Sequence, residues 1–365
     1  MGFKAVRFAN DSRAEFYNVL RERVKEFFES NKISPYANAR MVLKTITMLA
    51  IYCVPLGVLY FGSFNSVPIM FACWVVMGFG MAGIGMSVMH DANHGAYSKK
   101  ESVNKYVGLL INLVGGCAVC WKIQHNLLHH SFTNVEGFDD DIDSGPVLRF
   151  SPHQPVKKAH KYQHIYAWFL YSLMTLMWIT TKDFKQLKDY DRRGLLKTHV
   201  RKSFYELLFR LIGVKVFYYI VTLVLPLMLL PFSWPIIVVG FVLMHMLAGL
   251  TLSTIFQSAH VMPESDYKLP NENGKMDANW ALHQLANTTN FAPKSKFLTW
   301  YLGGLNFQIE HHLFQHISHV YYSRLSKIVE QTAKEFGVPY NVEPTFVKAV
   351  SSHAKMLKAL GRGEF

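Results

Sequence analysis

Two long stretches of this chain carry no charged side chain. Residues 45–89 contain no Lys, Arg, Asp or Glu, and the same holds for residues 216–259. A bilayer-spanning helix needs about 20 apolar residues, so each stretch is long enough for two passes. Turn-forming sequences at residues 64–68 and 231–235 divide each stretch in two. The pattern therefore predicts an all-α integral membrane protein with two transmembrane hairpins, whose spans lie near residues 43–62, 68–90, 212–231 and 235–258.

The segments outside the hairpins are polar and helical in pattern. A capping box at residues 12–15 precedes apolar residues at helical spacing, which predicts an amphipathic N-terminal helix that could lie on the membrane surface. Residues 325–336 show the same spacing, and a further helix is expected between Pro344 and Gly361. We therefore expect three parts: an N-terminal segment (1–40), a membrane domain (41–320) and a helical C-terminal segment (321–365).

The net charge of +13 arises from 38 Lys and Arg against 25 Asp and Glu. The basic residues flank the hairpins, from Arg7 to Lys44 and from Lys182 to Lys202, whereas the hairpin turns lack them. Lys and Arg gather on the cytoplasmic side of membrane proteins, so this bias predicts that both termini are cytoplasmic. No basic motif lies apart from the membrane flanks, which argues against a nucleic-acid partner.

Eight of the 17 histidines stand at or near predicted membrane edges. His90 and His94 are four residues apart, which places both side chains on one face of a helix that leaves the membrane. His125 and His129 repeat this spacing. The other four members are His130, His260, His311 and His312. His130 follows His129 directly and is expected to point about 100° away from it on a helix. Eight imidazoles exceed the needs of one tetrahedral ion, so two metal ions are expected. Neutral imidazole suits zinc, copper, iron and nickel, so the ligand type leaves the metal open.

Carboxylates accompany these histidines. A metal-bound histidine commonly donates its second ring N–H to a carboxylate, and the candidates for that role are Asp91, Glu310, Asp139 and Asp141. A solvated loop is the alternative for the acidic run at residues 139–143. His316 and His319 are further candidates for such supporting contacts. His245, inside the fourth span, is better explained by packing with a hydrogen bond.

Two shorter apolar runs, at residues 107–119 and 165–180, need a different placement. A single crossing by either run would put cooperating histidines on opposite faces of the bilayer. We therefore expect both runs to be interfacial or re-entrant, with all histidine groups in a cytoplasmic helical cap.

Three motifs carry a family resemblance: His90-Asp-Ala-Asn-His94, His125-Asn-Leu-Leu-His129-His130 and Gln308-Ile-Glu-His-His312. In this order, around two hairpins, they resemble the histidine boxes of the membrane fatty acid desaturase family. The similarity extends from about Arg40 to His319. It implies a non-haem di-iron enzyme, with the eight histidines as iron ligands, that uses dioxygen and two electrons to remove two hydrogens from adjacent carbons of an acyl chain.

The third motif begins with Gln308, where many family members have histidine. This resembles the front-end subgroup, which introduces a cis double bond between an existing one and the carboxyl end, and it makes Gln308 a candidate catalytic-site residue. The sequence contains no HPGG haem motif. A separate electron donor is therefore expected, either a ferredoxin or cytochrome b5 with its reductase. The substrate is expected to be an acyl-CoA or an acyl-lipid, bound in an apolar tunnel between the hairpins.

Two other functions remain open from the sequence. A fatty acyl or lipid hydroxylase could use the same di-iron scaffold, because the ligand set does not decide whether oxygen is transferred. A histidine-rich metal carrier would need polar groups along the spans, and His245 is the one that the sequence pattern offers.

Overall fold

The computed structural model describes residues 6–9, 14–63, 65–143 and 145–365. Most of these residues are helical. In chain order the helices are α1 (Ala14–Ser30), α2 (Ala39–Phe61), α3 (Val67–Asn93), α4 (Glu101–Leu113), α5 (Ala118–Phe132), α6 (Gln163–Ser172), α7 (Asp183–Arg192), α8 (Phe204–Leu229), α9 (Trp234–His260), α10 (Trp280–Ala286), α11 (Lys296–Tyr301), α12 (Gln308–Leu313), α13 (Tyr322–Glu335) and α14 (Phe346–Arg362).

Short elements connect these helices. Single helical turns occur at Lys158–Tyr162, Met174–Met177, Trp178–Lys182, Leu196–Val200 and His319–Tyr321. Strands β1 (Asn290–Phe291) and β2 (Val342–Glu343) form a two-stranded parallel pair in which Asn290 lies opposite Val342. The pair joins the segment before α12 to the segment before α14, so the C-terminal region is attached to the part of the chain that carries the third histidine motif.

Four helices, α2, α3, α8 and α9, are long and apolar enough to cross a membrane. The first of them begins at Asn38, whose side-chain oxygen accepts the backbone N–H groups of Arg40 and Met41. Proline lies in the first turn of both α3 and α9, where its missing N–H costs no hydrogen bond. The predicted architecture of two membrane hairpins with a helical cap is confirmed. The third membrane helix, α8, begins at Phe204, before the charge-free stretch that starts at residue 216, so Lys215 lies inside this helix.

The hairpins pack through glycines on α3 and α9. A Cβ atom at Gly78 would lie 2.8 Å from the carbonyl oxygen of Met244, and one at Gly80 would lie 2.7 Å from the backbone nitrogen of Tyr52. Gly240 faces the indole of Trp74, which is fully buried. Small residues thus let the helix backbones approach closely, as is typical of helix interfaces in lipid.

Helices α4 and α5 pass the same length and hydropathy test only as a pair, and they meet at an angle of 111°. The bend occurs at residues 114–117, where Gly115 has φ +83°. The chain enters α4 just after His94 and leaves α5 with His129 and His130, and these histidines lie in one cluster. The segment therefore returns to the end of the bundle from which it started. This return is what the sequence predicted, because a single crossing would have placed the histidine groups on opposite faces of the bilayer.

The two ends of the chain pack on each other. The apolar face of α1 buries Phe16, Leu20 and Val24 in a core shared with Leu325 and Val329 of α13. The expectation that α1 lies on the membrane surface is therefore wrong, because its apolar side is covered by protein. The capping box expected at residues 12–15 includes positions outside the described residues. Both predicted C-terminal helices are present as α13 and α14.

Candidate metal centre

The structure brings all eight singled-out histidines together at one end of the helix bundle. His90, His94, His125 and His311 form one group, and His129, His260 and His312 form a second, with the nitrogen atoms of each group within 4.8 Å of one another. His130 forms a third group with His311 and His312, so it lies between the other two. All the side chains are buried apart from that of His94, which is partly buried. The two predicted sites thus adjoin.

Two π-helical stretches lie in or next to the first two histidine motifs. Ile84–Val88 lies directly before His90, and Lys122–His129 carries the second motif. In a π-helix the hydrogen bond joins residues five apart, and the N–H of His130 donates to the carbonyl of His125. Residues 125 and 130 therefore come nearly into line, and their rings lie 4.7 Å apart. His129 and His130 fall in different groups of converging nitrogens, and the π-helical turn adds an alignment of His130 with His125 that an α-helix would not give.

Several histidines have one nitrogen committed and the other without a partner. The Nδ1 atom of His129 donates to the Asp139 carboxylate at 3.0 Å, and that of His260 donates to the Asn287 carbonyl at 3.1 Å. The Nδ1 atom of His312 donates to Oε1 of Gln284 at 2.7 Å. Each acceptor fixes the proton on Nδ1 and leaves Nε2 with a free lone pair. These three Nε2 atoms, and that of His311, are buried without a hydrogen-bond partner among the described residues.

The arrangement fits bound cations. Nε2 of His125 lies 3.2 Å from Nε2 of both His90 and His130, which is about the separation of two nitrogens each roughly 2.1 Å from one ion. Burial lowers the pKa values of His94, His125, His130, His311 and His312 well below the ordinary value of histidine. These imidazoles are therefore neutral, which is the form that binds a metal.

Asp139 is the carboxylate with the clearest supporting contact. It is buried, and it accepts hydrogen bonds from His129 and from the backbone N–H groups of Asn134 and Asp141. Burial raises the pKa of Asp139, but the attraction of His129 and these hydrogen bonds outweigh it, so the pKa is lowered. Burial lowers the pKa of His129, but the Asp139 carboxylate raises it above the ordinary value. The pair resembles the carboxylate–histidine contacts that orient metal ligands.

The other candidate carboxylates have different partners. Asp91 accepts a hydrogen bond from His319, 2.8 Å away, and not from one of the eight histidines. Glu310 accepts hydrogen bonds from Asn290 and from the hydroxyl of Tyr340, and burial raises its pKa to about 7. Asp141 is bonded to Gln124 and lies 3.8 Å from the Nδ1 atom of His129. Asp91 and Glu310 therefore hydrogen-bond to residues around the centre and not to the imidazole rings of the eight histidines.

Histidines outside the eight mostly hold the fold together. His245 lies between Thr175 and the hydroxyl of Tyr218, 2.8 Å away, as expected for a packed residue. His319 contacts Lys44 as well as Asp91. His283 and His353 are buried, and each is hydrogen-bonded to a backbone carbonyl, that of Thr133 and that of Val261 respectively.

Some supporting residues gave no signal in the sequence. Gln284 and Asn287, both from the region of α10, orient His312 and His260. Lys215 joins Asp183 in a buried ion pair and also donates to the carbonyls of Gly115 and Trp178. These contacts join residues far apart in the chain, and no motif spacing points to them.

A cavity of about 470 Å³ adjoins the histidines. His90, His125, His311 and Gln308 line its inner part. Apolar side chains form most of the remainder, including Met86 and Met89 from α3, Leu170 from α6, Met174 and Met177 from the next turns, and Phe256 from α9, and the backbone of Gly85 also lines it. The cavity is thus lined in part by α3, as expected for a tunnel between the hairpins, whereas Trp74 of α3 packs against Phe241 of α9.

The fold and the site define an integral membrane protein with a buried histidine centre that opens on an apolar cavity. A family model described as fatty acid desaturase matches residues 21–344. The chain belongs to the fatty acid desaturase family, as its three motifs predicted.

Curated relatives cover nearly the whole chain. An acyl-lipid (8-3)-desaturase of Physcomitrium patens is 37% identical over 99% of this chain and 74% of its own length. An sn-1 linoleoyl-lipid 6-desaturase of Arthrospira platensis is 34% identical over 94% of this chain and 92% of its own. An acyl-lipid (8-3)-desaturase of Mortierella alpina is 30% identical over 95% of this chain and 78% of its own length.

Proposed function

We propose that this protein is an oxygen-dependent front-end desaturase of acyl lipids that works through a di-iron centre. The observation that carries the proposal is the set of eight converging imidazoles beside an apolar cavity, several of them with a buried, unpartnered Nε2. The reaction would remove one hydrogen from each of two adjacent methylenes. With two electrons and two protons from the donor side, dioxygen would be reduced to two waters.

One iron ion would be held by His90, His94, His125 and His311, and the other by His129, His260 and His312. His130 faces both groups and completes the set. Bound there, the metal supplies the oxidation of an unactivated C–H bond, which side-chain acids and bases cannot perform. Iron suits this chemistry and neutral imidazole ligands. Asp139 acts as a support that orients the His129 ring, and Asp141 lies next to it.

The residues of the cavity bind and orient the substrate. Met86, Met89, Leu170 and Met174 offer apolar contacts to a hydrocarbon chain and exclude water from it. The chain would pass His90, His125 and His311, which line the same space. Gln308, buried at this position, would contact the chain beside the reacting carbons.

The front-end assignment and the acyl-lipid substrate rest on Gln308 and on the relatives. The sn-1 linoleoyl-lipid 6-desaturase of Arthrospira and the acyl-lipid (8-3)-desaturase of Physcomitrium match over more than nine-tenths of this chain. We accordingly assign the new cis double bond to the carboxyl side of an existing one.

The centre is proposed to face the cytoplasm, together with both termini. The basic segments that flank the hairpins favour this orientation. A separate ferredoxin or cytochrome b5 with its reductase would then reach the centre from the cytoplasmic side to deliver the two electrons. The division into segments 1–40, 41–320 and 321–365 stays a prediction.

Expression in a host with defined fatty acids tests the proposal. The wild-type chain should yield a fatty acid two hydrogens lighter, with the new double bond on the carboxyl side of an existing one. His129→Ala and His312→Ala should each abolish the product and lower bound iron while the protein still reaches the membrane. His199→Ala, at an exposed position, is the matched control and should keep full activity.

Three results would contradict the proposal. A product that gains one oxygen would indicate a hydroxylase. Metal transport in proteoliposomes without dioxygen consumption would indicate a carrier. Wild-type turnover by either histidine variant would remove that residue from the centre.

A further inference from the structure

Two of the four cysteines stand close together at the start of α5. Cys117 is the N-cap residue of this helix, with φ −106° and ψ 114°, and Cys120 lies in its first turn. Both are free thiols in the structure. In a Cys-X-X-Cys pair at a helix N-terminus, one thiol is commonly activated as a nucleophile and the second can resolve its oxidised product.

The two thiols differ in their surroundings. Cys117 is partly exposed, whereas Cys120 is fully buried in an apolar core that α5 shares with Leu187 of α7 and Leu207 of α8. The Cys120 thiol donates to the backbone carbonyl of Asp183, 3.6 Å away. A small oxidant can therefore reach Cys117, while Cys120 is shielded beside it.

Hydrogen bonds favour the thiolate form of Cys117. The Cys120 thiol donates to the Cys117 sulfur, and so do the backbone N–H groups of Cys120 and Val119. The single hydrogen of the Cys120 thiol can serve this sulfur or the Asp183 carbonyl, and an ionised sulfur attracts it more strongly. These bonds outweigh the effect of burial and lower the pKa of Cys117. The pKa of Cys120 is raised, because it supplies that hydrogen and because its sulfur is buried.

The pair lies close to the histidine centre. Trp121 directly follows Cys120 and lines the apolar cavity. Its ring centroid lies 4.6 Å from that of His125 and 5.6 Å from those of His90 and His94. When dioxygen takes up two electrons and two protons without reacting with an acyl chain, the product is hydrogen peroxide. An oxidant for thiols would then form next to this turn of α5.

From these contacts we infer that Cys117 and Cys120 form a redox-active dithiol that hydrogen peroxide converts reversibly to a disulfide. The thiolate of Cys117 attacks one peroxide oxygen, the O–O bond breaks, and a sulfenic acid and hydroxide are formed; a proton turns the hydroxide into water. The Cys120 sulfur then attacks the sulfenic sulfur, and the S–S bond forms as a second water leaves with the thiol proton. The two thiols lose two electrons, and peroxide gains them.

Closure of the disulfide changes the first turn of α5. The bond draws the two sulfurs together and removes the hydrogen that Cys120 donates to the Asp183 carbonyl. Trp121 is the next residue in the chain, so its ring shifts against three of the proposed ligands. Oxidation therefore lowers turnover, and reduction by a small thiol restores it. The source of the peroxide and this effect on turnover rest on the proposed function, whereas the thiol chemistry does not.

Mass spectrometry tests the disulfide without any turnover. The purified full-length protein is treated with a few equivalents of hydrogen peroxide, its remaining thiols are alkylated, and trypsin releases residues 106–122, which contain both cysteines. This peptide should be unalkylated and two hydrogens lighter, and dithiothreitol should reverse the change. Its oxidation should be about 10-fold or more faster than that of exposed Cys53. A fully alkylated peptide at a peroxide dose that oxidises Cys53 would overturn the inference.

Two serine variants assign the roles of the thiols. Cys120→Ser removes the resolving thiol, so Cys117 should remain as a sulfenic acid that a cyclic diketone probe labels. Cys117→Ser should show neither label nor disulfide in this peptide, because the Cys120 thiol is buried. Cys53→Ser, the matched control on α2, should form the disulfide as the wild type does. Labelling of Cys120 in the Cys117→Ser variant as fast as that of Cys117 in the Cys120→Ser variant would contradict these roles.

Turnover measures the coupling to the centre. The peroxide-treated wild type should desaturate about 10-fold more slowly and recover with dithiothreitol, since small displacements beside a reacting group cost at least this much. Cys117→Ser should keep its turnover through the same treatment. Equal losses in the two proteins would show that peroxide acts on the centre itself and would overturn the coupling. Lack of desaturation by the untreated wild type would count against the proposed function alone, because the disulfide is measured separately.

Discussion

Single side chains around the centre act mainly by fixing ring orientation. Three histidines each donate a hydrogen bond from Nδ1, to Asp139, Asn287 or Gln284. These bonds hold the rings in the orientation in which their Nε2 atoms converge. Preorganised ligands lose little freedom when an ion binds. The supporting residues should therefore matter for metal affinity nearly as much as the ligands do.

Asp139→Asn tests this at one residue. The amide keeps the shape of the side chain but removes the negative charge that holds the His129 proton in place. Iron affinity should fall about 10- to 100-fold, as is typical when the partner of a metal-bound histidine is lost. Iron content after dialysis against graded chelator measures the effect, with Asp277→Asn at an exposed position as the control. An unchanged iron affinity would show that Asp139 does not support the centre.

A second residue-level prediction concerns acid stability. Burial lowers the pKa of His353 to about 4, and the ring accepts a hydrogen bond from Tyr171 while donating to Val261. An unfolded histidine titrates near 6.5, so between about pH 6.5 and 4 the unfolded chain binds more protons. Stability should therefore fall as pH is lowered through this window, with about 3 kcal/mol lost from this group by its acid end.

Thermal unfolding of chelator-treated protein in detergent, measured in steps from pH 7 to 4, checks the sign. His353→Gln keeps a donor and an acceptor but cannot titrate, so its melting temperature should fall less steeply than that of the wild type. Parallel curves for the two proteins would show that His353 is not held neutral in the fold.

The sequence predicted the residues of the centre better than their surroundings. Spacing identified His90, His94 and the adjacent pair His311–His312 because ligands on one helix repeat at fixed intervals. The partners Asn287 and Gln284 could not be found in this way, since they meet the rings only after α10 packs against α12. The alignment of His130 with His125 could not be found either, because it depends on the π-helical geometry of residues 122–129.

At the scale of elements, the bent pair α4–α5 is the least conventional part of the fold. Its turn is fastened to α8 by Lys215, which donates to the carbonyl of Gly115 and pairs with Asp183. Both charged side chains are buried. Removing one partner of a buried pair leaves an uncompensated charge, which is strongly destabilising.

Lys215→Met should therefore destabilise the protein by about 3–5 kcal/mol. The double variant Lys215→Met/Asp183→Leu removes both charges and should recover most of that loss. Thermal unfolding and iron content of the membrane-extracted protein give the comparison. If the single variant were as stable as the wild type, or the double variant no better than the single one, the ion pair would not be what fastens the bend.

Hydropathy predicted the hairpins because a helix in lipid must be apolar along its whole length. The span predicted at residues 212–231 already contained Lys215, but hydropathy gave no sign that Asp183 is its buried partner. The packing of α1 was also missed, because an amphipathic face looks the same whether lipid or protein covers it. That face is covered by α13.

At the scale of the whole molecule, the two hairpins form a frame that gathers four separate chain segments at one end. The ends of α3 and α9, the returning α5 and the short α12 each contribute histidines to one centre. The cavity continues from this centre between α3, α6 and α9. The histidine cluster and the apolar cavity therefore lie next to each other at one end of the frame.

Iron stoichiometry tests the central claim most directly. Elemental analysis of the purified protein, combined with anomalous scattering at the iron edge, counts the ions and locates them. The account predicts two iron ions per chain, one among His90, His94, His125 and His311 and the other among His129, His260 and His312. A single ion, or iron bound away from these histidines in a catalytically active preparation, would contradict it.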